Sequence, residues 1–266
     1  MIPANTYKIY FVILMLSITN QSYLGAQTTD NISAKEISKK SSDKVEFKNI
    51  EMDITLKIYS PTGSERTRKI FSASGKFENV NKMLLRFTEP ADYKGTAMLI
   101  FDYDNKSDEM WIYLPSLRKT RRIVSSEKGN NFMGSEFSNA DMSKPNLDDF
   151  VYKLLGSNVY DGNDCWKIEI TPNDSKIAEE YGFRKKISFI DKSDYLCQKI
   201  EIYDLKGRLL KTEFMGKYKK VSESKYLAYY LEIKNEQNGR KSIISIDRFK
   251  EGTNLKESEF SPARLE

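Results

Sequence analysis

The densest run of potential metal ligands is Asp102, Asp104, Asn105, Asp108 and Glu109. A calcium loop of the helix–loop–helix type needs Gly at its sixth position and a bidentate Glu at its twelfth. Counted from Asp102, Ser107 and Tyr113 stand there instead. These residues read as a solvated hairpin tip, and no metal or other cofactor is implied. Ser125-Ser126-Glu127-Lys128 sets hydroxyls beside an amine. A Ser-Lys nucleophile, however, needs a buried lysine of depressed pKa, and Lys128 adjoins a Gly-Asn turn. No G-x-S-x-G elbow, P-loop or dinucleotide fingerprint occurs. Histidine is absent from all 266 residues, although the chain carries 43 Lys and Arg and 38 Asp and Glu. That excludes imidazole-based nucleophile systems and imidazole-built metal sites, and leaves no side chain with an unperturbed pKa near neutrality. The expectation is a binding protein, not an enzyme.

Two further groups of residues can bind without reacting. Arg118, Lys119, Arg121 and Arg122 follow the aromatic strand Trp111-Ile112-Tyr113-Leu114-Pro115. Nucleic acid would call for basic residues interleaved with exposed aromatics, whereas strand alternation scatters these charges over both faces. Salt bridges across strands, or docking of a partner or a lipid headgroup at Arg118, Arg121 and Arg122, are the expectations, beside the plainer reading of a solvated edge. The second group is apolar: Ala97, Leu99 and Phe101 share one strand face, and Met98 and Ile100 share the other. A curved sheet with an apolar inner face is filled either by its own helices or by a hydrophobic ligand. Met98, Met110, Met133 and Met142 would suit a pocket for variable apolar shapes.

The elements that position these groups begin after an export signal. Lys8 precedes the apolar run Ile9–Ile18, which is too short to span a bilayer comfortably, and Gly25-Ala26 supplies small residues for cleavage. Residues 1–26 are therefore expected to be a cleavable signal peptide. No cysteine follows the apolar run, so the chain is expected to be exported without being a lipoprotein itself. Export into an oxidising compartment raises the question of Cys165 and Cys197. They open strands separated by a third, about 9–10 Å apart, beyond the usual span of a disulfide.

Residues 30–42 read as a short polar helix with Ile32 and Ile37 on one side. Strand patterning then dominates: 45–59, 67–73, 82–88, 96–103, 110–114, 119–125, and, in a second series, 150–160, 165–171, 184–190, 195–203, 209–218, 226–234 and 241–250. The links carry turn chemistry at Asp161-Gly162, Lys206-Gly207 and Asn238-Gly239. Short links imply antiparallel neighbours in one large sheet that must curl or close. The exception is 129–149, where alternation stops, Gly, Asn and Ser accumulate, and Ser143-Lys144-Pro145 resembles a helix start. Such an insertion reads as a lid or binding loop. Residues 147–156 fit helix and strand equally.

Several ordered blocks carry a resemblance. Arg86-Phe-Thr-Glu-Pro90-Ala-Asp-Tyr-Lys94-Gly95-Thr96-Ala97 is one, Trp111 to Ile123 another, and Phe132-Met133-Gly134-Ser135-Glu136-Phe137 a third. With Tyr152-Lys-Leu-Leu155-Gly156 and the ending Phe260-Ser-Pro262-Ala-Arg-Leu-Glu266, they resemble the outer membrane lipoprotein-sorting protein family, related to the LolA/LolB carriers, from about Ile32 onward. The resemblance implies a mainly β fold: a strongly curved antiparallel sheet, or half-open β-barrel, with a helical lid over an apolar cavity. Residues 27–266 would be a single domain and 129–149 its lid, with strand favoured for 150–160. It implies a periplasmic carrier that binds lipoprotein acyl chains or another lipid. The carrier would hand its cargo to a membrane-associated partner, an inner-membrane transporter or outer-membrane acceptor. A sensor module using the same fold for lipid or peptide signals is the alternative. Ligand and lid residues would be Arg86, Met98, Ile100, Met110, Trp111, Tyr113, Phe132, Met133, Phe137 and Met142. Arg86 is placed as the arginine that holds the lid shut.

Overall fold

The structure, a computed structural model, describes residues 32–103 and 106–266. The expected signal peptide lies outside the described residues, as do Asp104 and Asn105 of the acidic tip. The chain begins with α1 (Ala34–Lys44). Ser33 caps it: its hydroxyl accepts from the Glu36 amide while the Glu36 carboxylate accepts from the Ser33 amide, a reciprocal capping box. Strands β1 (Ile50–Tyr59), β2 (Glu65–Phe77), β3 (Val80–Glu89), β4 (Ala97–Tyr103), β5 (Glu109–Leu114) and β6 (Lys119–Ile123) form a first meander. After residues 124–149 come β7 (Phe150–Tyr160), β8 (Asn163–Pro172), α2 (Ser175–Tyr181), β9 (Lys185–Asp191), β10 (Cys197–Tyr203), β11 (Leu209–Lys220), β12 (Tyr226–Asn235) and β13 (Lys241–Glu251).

The two meanders join where β13 pairs antiparallel with β1, giving a 13-stranded sheet in the order β6-β5-β4-β3-β2-β1-β13-β12-β11-β10-β9-β8-β7. The sheet is not closed, since β6 and β7 are its two edges. It must nevertheless curl. Met110 and Ile123 near one edge share a single apolar cluster with Phe150 and Ile202 near the other. A flat sheet of this width would hold those strands far apart, at just under 5 Å per step.

Alternation sorts residues between two faces. The inner face presents Ile54, Leu56, Ile70, Leu85, Phe87, Met98, Ile100, Met110 and Ile112. The outer face of β2–β5 presents Ala73, Leu84, Ala97, Leu99 and Trp111 and is covered by the C-terminal segment through Leu255, Phe260 and Leu265. Farther round, the outer face of β8 and β9 shows Cys165, Ile187 and Phe189. There lysine stems rather than chain provide cover: Lys199 lies 5.0 Å and Lys167 5.4 Å from the Phe189 ring.

Residues 129–149 form no helix beyond short 3-10 turns at Phe132–Gly134, Ala140–Met142 and Leu147–Asp149. The expected helical lid is thus an irregular cover. Residues 150–160 are strand throughout. The helix α2 was not among the sequence expectations. Asp174 caps its start, accepting from the Ile177 amide at 2.8 Å, and Gly182 ends it with φ +74°. The cover reaches α2 through a close approach of backbones. A Cβ on Gly129 would meet the Gly182 nitrogen at 2.9 Å. Both cysteines are free thiols on β8 and β10, with β9 between them as expected from the spacing.

Candidate functional site

Two cavities lie on the inner face where the cover fails to fill it. One, of about 380 Å³, is lined by Ile50, Met52, Met83, Ile100, Met142 and Leu227 together with the end of α1. The other, of about 230 Å³, is lined by Phe150, Tyr152, Ile170, Phe183, Ile200 and Glu213. Asp141, Ser143 and Pro145 border both. The stretch 141–145 is therefore a partition between two spaces whose linings are largely apolar. Drug-sized ligand sites occupy about 300–1,000 Å³, so the larger cavity reaches that range alone and the smaller does not.

The first half of the cover is firmly anchored. Arg68, on the inner face of β2 and 3% exposed, donates to the Met133 carbonyl, and its guanidinium lies 3.8 Å from the Tyr93 ring. Arg240 donates to the Gly134 carbonyl at 2.6 Å. Glu136, 1% exposed, accepts from Asn235 at 2.9 Å, pairs with Arg240 at 2.8 Å and donates its amide to Ser242 at 2.9 Å. Lys211 on β11 donates to the Glu136 carbonyl and, at 3.3 Å, to Asn131. Lys128 pairs with Glu180 of α2 at 2.6 Å, both side chains under 10% exposed.

The partition is held by fewer groups. Asp141 lies 3.7 Å from Lys186, Ser143 donates to Asp108 at 2.8 Å, and Lys144 pairs with Glu46 at 2.8 Å. Burial raises the Asp108 carboxyl above its ordinary value. Burial likewise pushes the Glu213 carboxyl, in the smaller cavity, up to about 7, with Asp141 adding to the rise and Lys186 and Lys211 opposing it. The Lys211 amine is lowered by the same loss of water.

The structure divides the residues singled out from sequence. Ile100 and Met142 line the larger cavity. Met98, Met110, Phe132 and Phe137 are at most 2% exposed and belong to the packed core, with Met133 against it. Trp111 and Tyr113 point the other way, against the C-terminal segment. Arg86 also faces outward, because it alternates with inward Phe87. It donates to the carbonyls of Arg264 and Leu265 at 3.2 Å, so the arginines that hold the cover are Arg68 and Arg240. Arg121 pairs with Glu127 at 2.8 Å and Arg122 with Glu109 at 3.4 Å, while Arg118 sits exposed in a left-handed turn (φ +47°). Lys128, read from sequence as a turn residue, is buried, and its partner is Glu180 rather than a serine nucleophile. Sequence reading missed Arg68, Glu213 and the Met52–Met83 wall. For Arg68 a signal existed, since it stands in phase with inward Ile70 and Ser72.

A half-open antiparallel sheet with apolar cavities beneath an internal cover defines the LolA-like class of fold. The family model that matches residues 79–266 is described as "Uncharacterized protein". An outer membrane lipoprotein-sorting protein domain from Vibrio parahaemolyticus is similar over 87% of this chain and 97% of its own, at 28% identity and a TM-score of 0.81. A DUF1329 family protein from Desulfovibrio piger is similar over 88% and 98%, at 25% identity and a TM-score of 0.81. A LolA superfamily protein from Nitrosomonas europaea shares the fold at 20% identity and a TM-score of 0.68, over 86% and 98%. No curated protein matches. The chain belongs to the family whose model matches residues 79–266, and it has the LolA-like fold. No described helix is long and apolar enough to cross a membrane.

Proposed function

We propose that this chain is a periplasmic carrier, exported with loss of residues 1–26, that takes an acyl chain of a lipoprotein or lipid beneath its cover and passes it to a membrane-associated acceptor. The observation that carries this reading is the pair of apolar cavities separated only by 141–145. Withdrawing Met142 and Pro145 from between them would join the two spaces into one slot, long enough for a chain that neither holds alone. Residues 129–149 act as the lid, anchored at 128–136 and yielding at 141–145. Ile100 and Met142 contact the cargo, while Met98, Met110, Phe132, Met133 and Phe137 form the packed floor against which the slot opens.

No step of this work breaks a bond. Burial of an acyl chain of about 14 methylenes is worth up to about 11 kcal/mol at ~0.8 kcal/mol each. Unassisted release into water would then be very slow, so the cost of displacing the cover must offset part of that gain, or the acceptor must bind better. Binding of a fluorescent C16 fatty acid, with native mass spectrometry of the protein purified from its producing cell, tests the reading. The expected result is stoichiometric loading and a co-purifying lipid, with Ile100→Trp lowering affinity about tenfold by filling the larger cavity. Absence of both lipid and probe binding sinks the carrier.

A further inference from the structure

The net charge of the chain is concentrated at one place. Residues 39–48 and 217–226 carry eight lysines (39, 40, 44, 48, 217, 219, 220 and 225) against three carboxylates, Asp43, Glu46 and Glu223. That is a net charge of +5, equal to that of all 266 residues. The two segments meet in space. Lys225 donates to the Asp43 carbonyl at 2.6 Å, and the Lys44 amine lies 5.7 Å from the Tyr226 ring. Lys40, Lys44, Ser224 and Lys225 line one shallow depression, with Tyr195 on its wall.

Neutralisation within the patch is slight. Among the described residues, only Lys39 of the eight pairs with a carboxylate, reaching Asp43 at 2.6 Å. Glu46 is taken by Lys144 from outside the patch. Several of the ammonium groups instead lie over tyrosine rings: Lys40 over Tyr195 at 5.1 Å, Lys219 over Tyr229 at 4.2 Å and Lys217 over Tyr230 at 5.3 Å. Val45 and Phe47 of the first segment and Leu227, next to the second, line the larger cavity, and Val45 is 42% exposed. Glu46, Asp102 and Lys144 line it as well.

We infer that this lysine–tyrosine rim docks the protein on an anionic lipid surface with the cavity mouth against the membrane. The order of chemistry fits a bilayer surface layer by layer. Ammonium groups meet lipid phosphates, tyrosines sit at headgroup depth, and the apolar lip of Val45, Phe47 and Leu227 faces the acyl region. A flat acidic protein would satisfy the lysines but leave the exposed lip against polar surface. The orientation rests on the proposed acyl site, whereas the docking itself does not. The site differs from the arginine cluster at β6, whose Arg121 and Arg122 already hold Glu127 and Glu109.

The test is flotation of residues 27–266, which contain the whole of the compact unit 32–266, with vesicles of phosphatidylethanolamine and phosphatidylglycerol. Binding is expected at low salt, absent on pure phosphatidylcholine and lost in 0.5 M NaCl, where screening is strong. The variant Lys40→Gln/Lys44→Gln/Lys219→Gln/Lys220→Gln is expected to weaken it by about fivefold per lysine. Its melting temperature and fatty-acid loading should match those of the parent, and Arg118→Gln/Arg121→Gln should bind as the parent does. The inference is overturned if the parent ignores anionic vesicles, if the four-lysine variant binds them equally, or if only polyglutamate is bound, which would indicate an acidic protein partner. Loss of fatty-acid loading with vesicle docking intact would sink the carrier and leave the rim standing.

Discussion

Two segments cover opposite faces of the sheet, and each is tied down by an arginine reaching backbone carbonyls. Inside, Arg68 holds Met133 of the 129–149 cover; outside, Arg86 holds Arg264 and Leu265 of the C-terminal segment. What lies beneath them differs. The outer segment presses Phe260 and Leu265, both at most 2% exposed, onto Ala97 and Leu99, with Phe260 also tilted against Phe77 at 5.3 Å. The inner cover leaves two cavities and a set of buried charges at its edge. The same anchor thus closes a finished core on one face and an unfinished one on the other. Unfilled volume and buried charge both lower the cost of rearrangement, because fewer packed contacts are given up. On the proposed carrier reading, the part that moves is the less finished inner cover at 141–145.

The largest effect that would break this contrast is on the outer side. Phe260→Ala should cost about 3–5 kcal/mol of stability, lowering Tm by roughly 10 °C in a chain of this size. Fatty-acid loading measured well below Tm should be unchanged. A loading defect in this variant would mean that the outer segment also shapes the cavity, and the contrast would fail.

A smaller effect separates the two arginines. Arg68→Met keeps most of the volume but leaves the Met133 carbonyl short of its donor, at about 1–3 kcal/mol for a buried acceptor. The loss falls on the cover, so amide exchange across 129–137 should accelerate about tenfold or more while the β1–β13 ladder exchanges as before. Arg86→Met should leave the cover's exchange unaltered. Equal acceleration in both variants would show that the two anchors act on one cooperative unit.

Why Arg86 rather than Arg68 stood out in the sequence is instructive. The faces of β4 were legible, since Met98 and Ile100 alternate with Ala97, Leu99 and Phe101 and each set found an apolar partner. The same parity rule applied to Arg86-Phe87 would have turned Arg86 outward; analogy outweighed it. The pairing of β1 with β13 joins the two ends of the described chain, and local pattern holds no record of such a register. The helix α2 spans too few residues to show a period. On β11 the inward phase holds Lys211 and Glu213, so the strand reads as inside-out until the cover supplies Asn131, Asp141 and the Glu136 carbonyl. Residues whose meaning depends on a distant segment are the ones that sequence pattern could not assign.

The finest distinction between the two covers is their response to pH. The Glu213 carboxyl has an ordinary value of 4.5 and is raised by burial to about 7 in the folded chain. Its neighbours across the site are Asp141, which raises it further, and Lys186 and Lys211, which pull it back. A carboxyl raised on folding favours the native state when protonated. Its contribution is complete below about 4.5, declines as pH climbs, and is gone above about 7. Wild-type stability should therefore fall relative to Glu213→Gln between those limits, by an amount on the order of 3 kcal/mol. The amide is the neutral isostere and does not titrate. Thermal unfolding of both proteins from pH 4 to 8 measures the difference. Parallel curves would mean that Glu213 stays ionised beside Lys186 and Lys211 throughout, and that the inner cover is no more pH-sensitive than the outer one. A widening gap, together with faster exchange at 141–145 above pH 7, would place the pH response at the partition between the cavities.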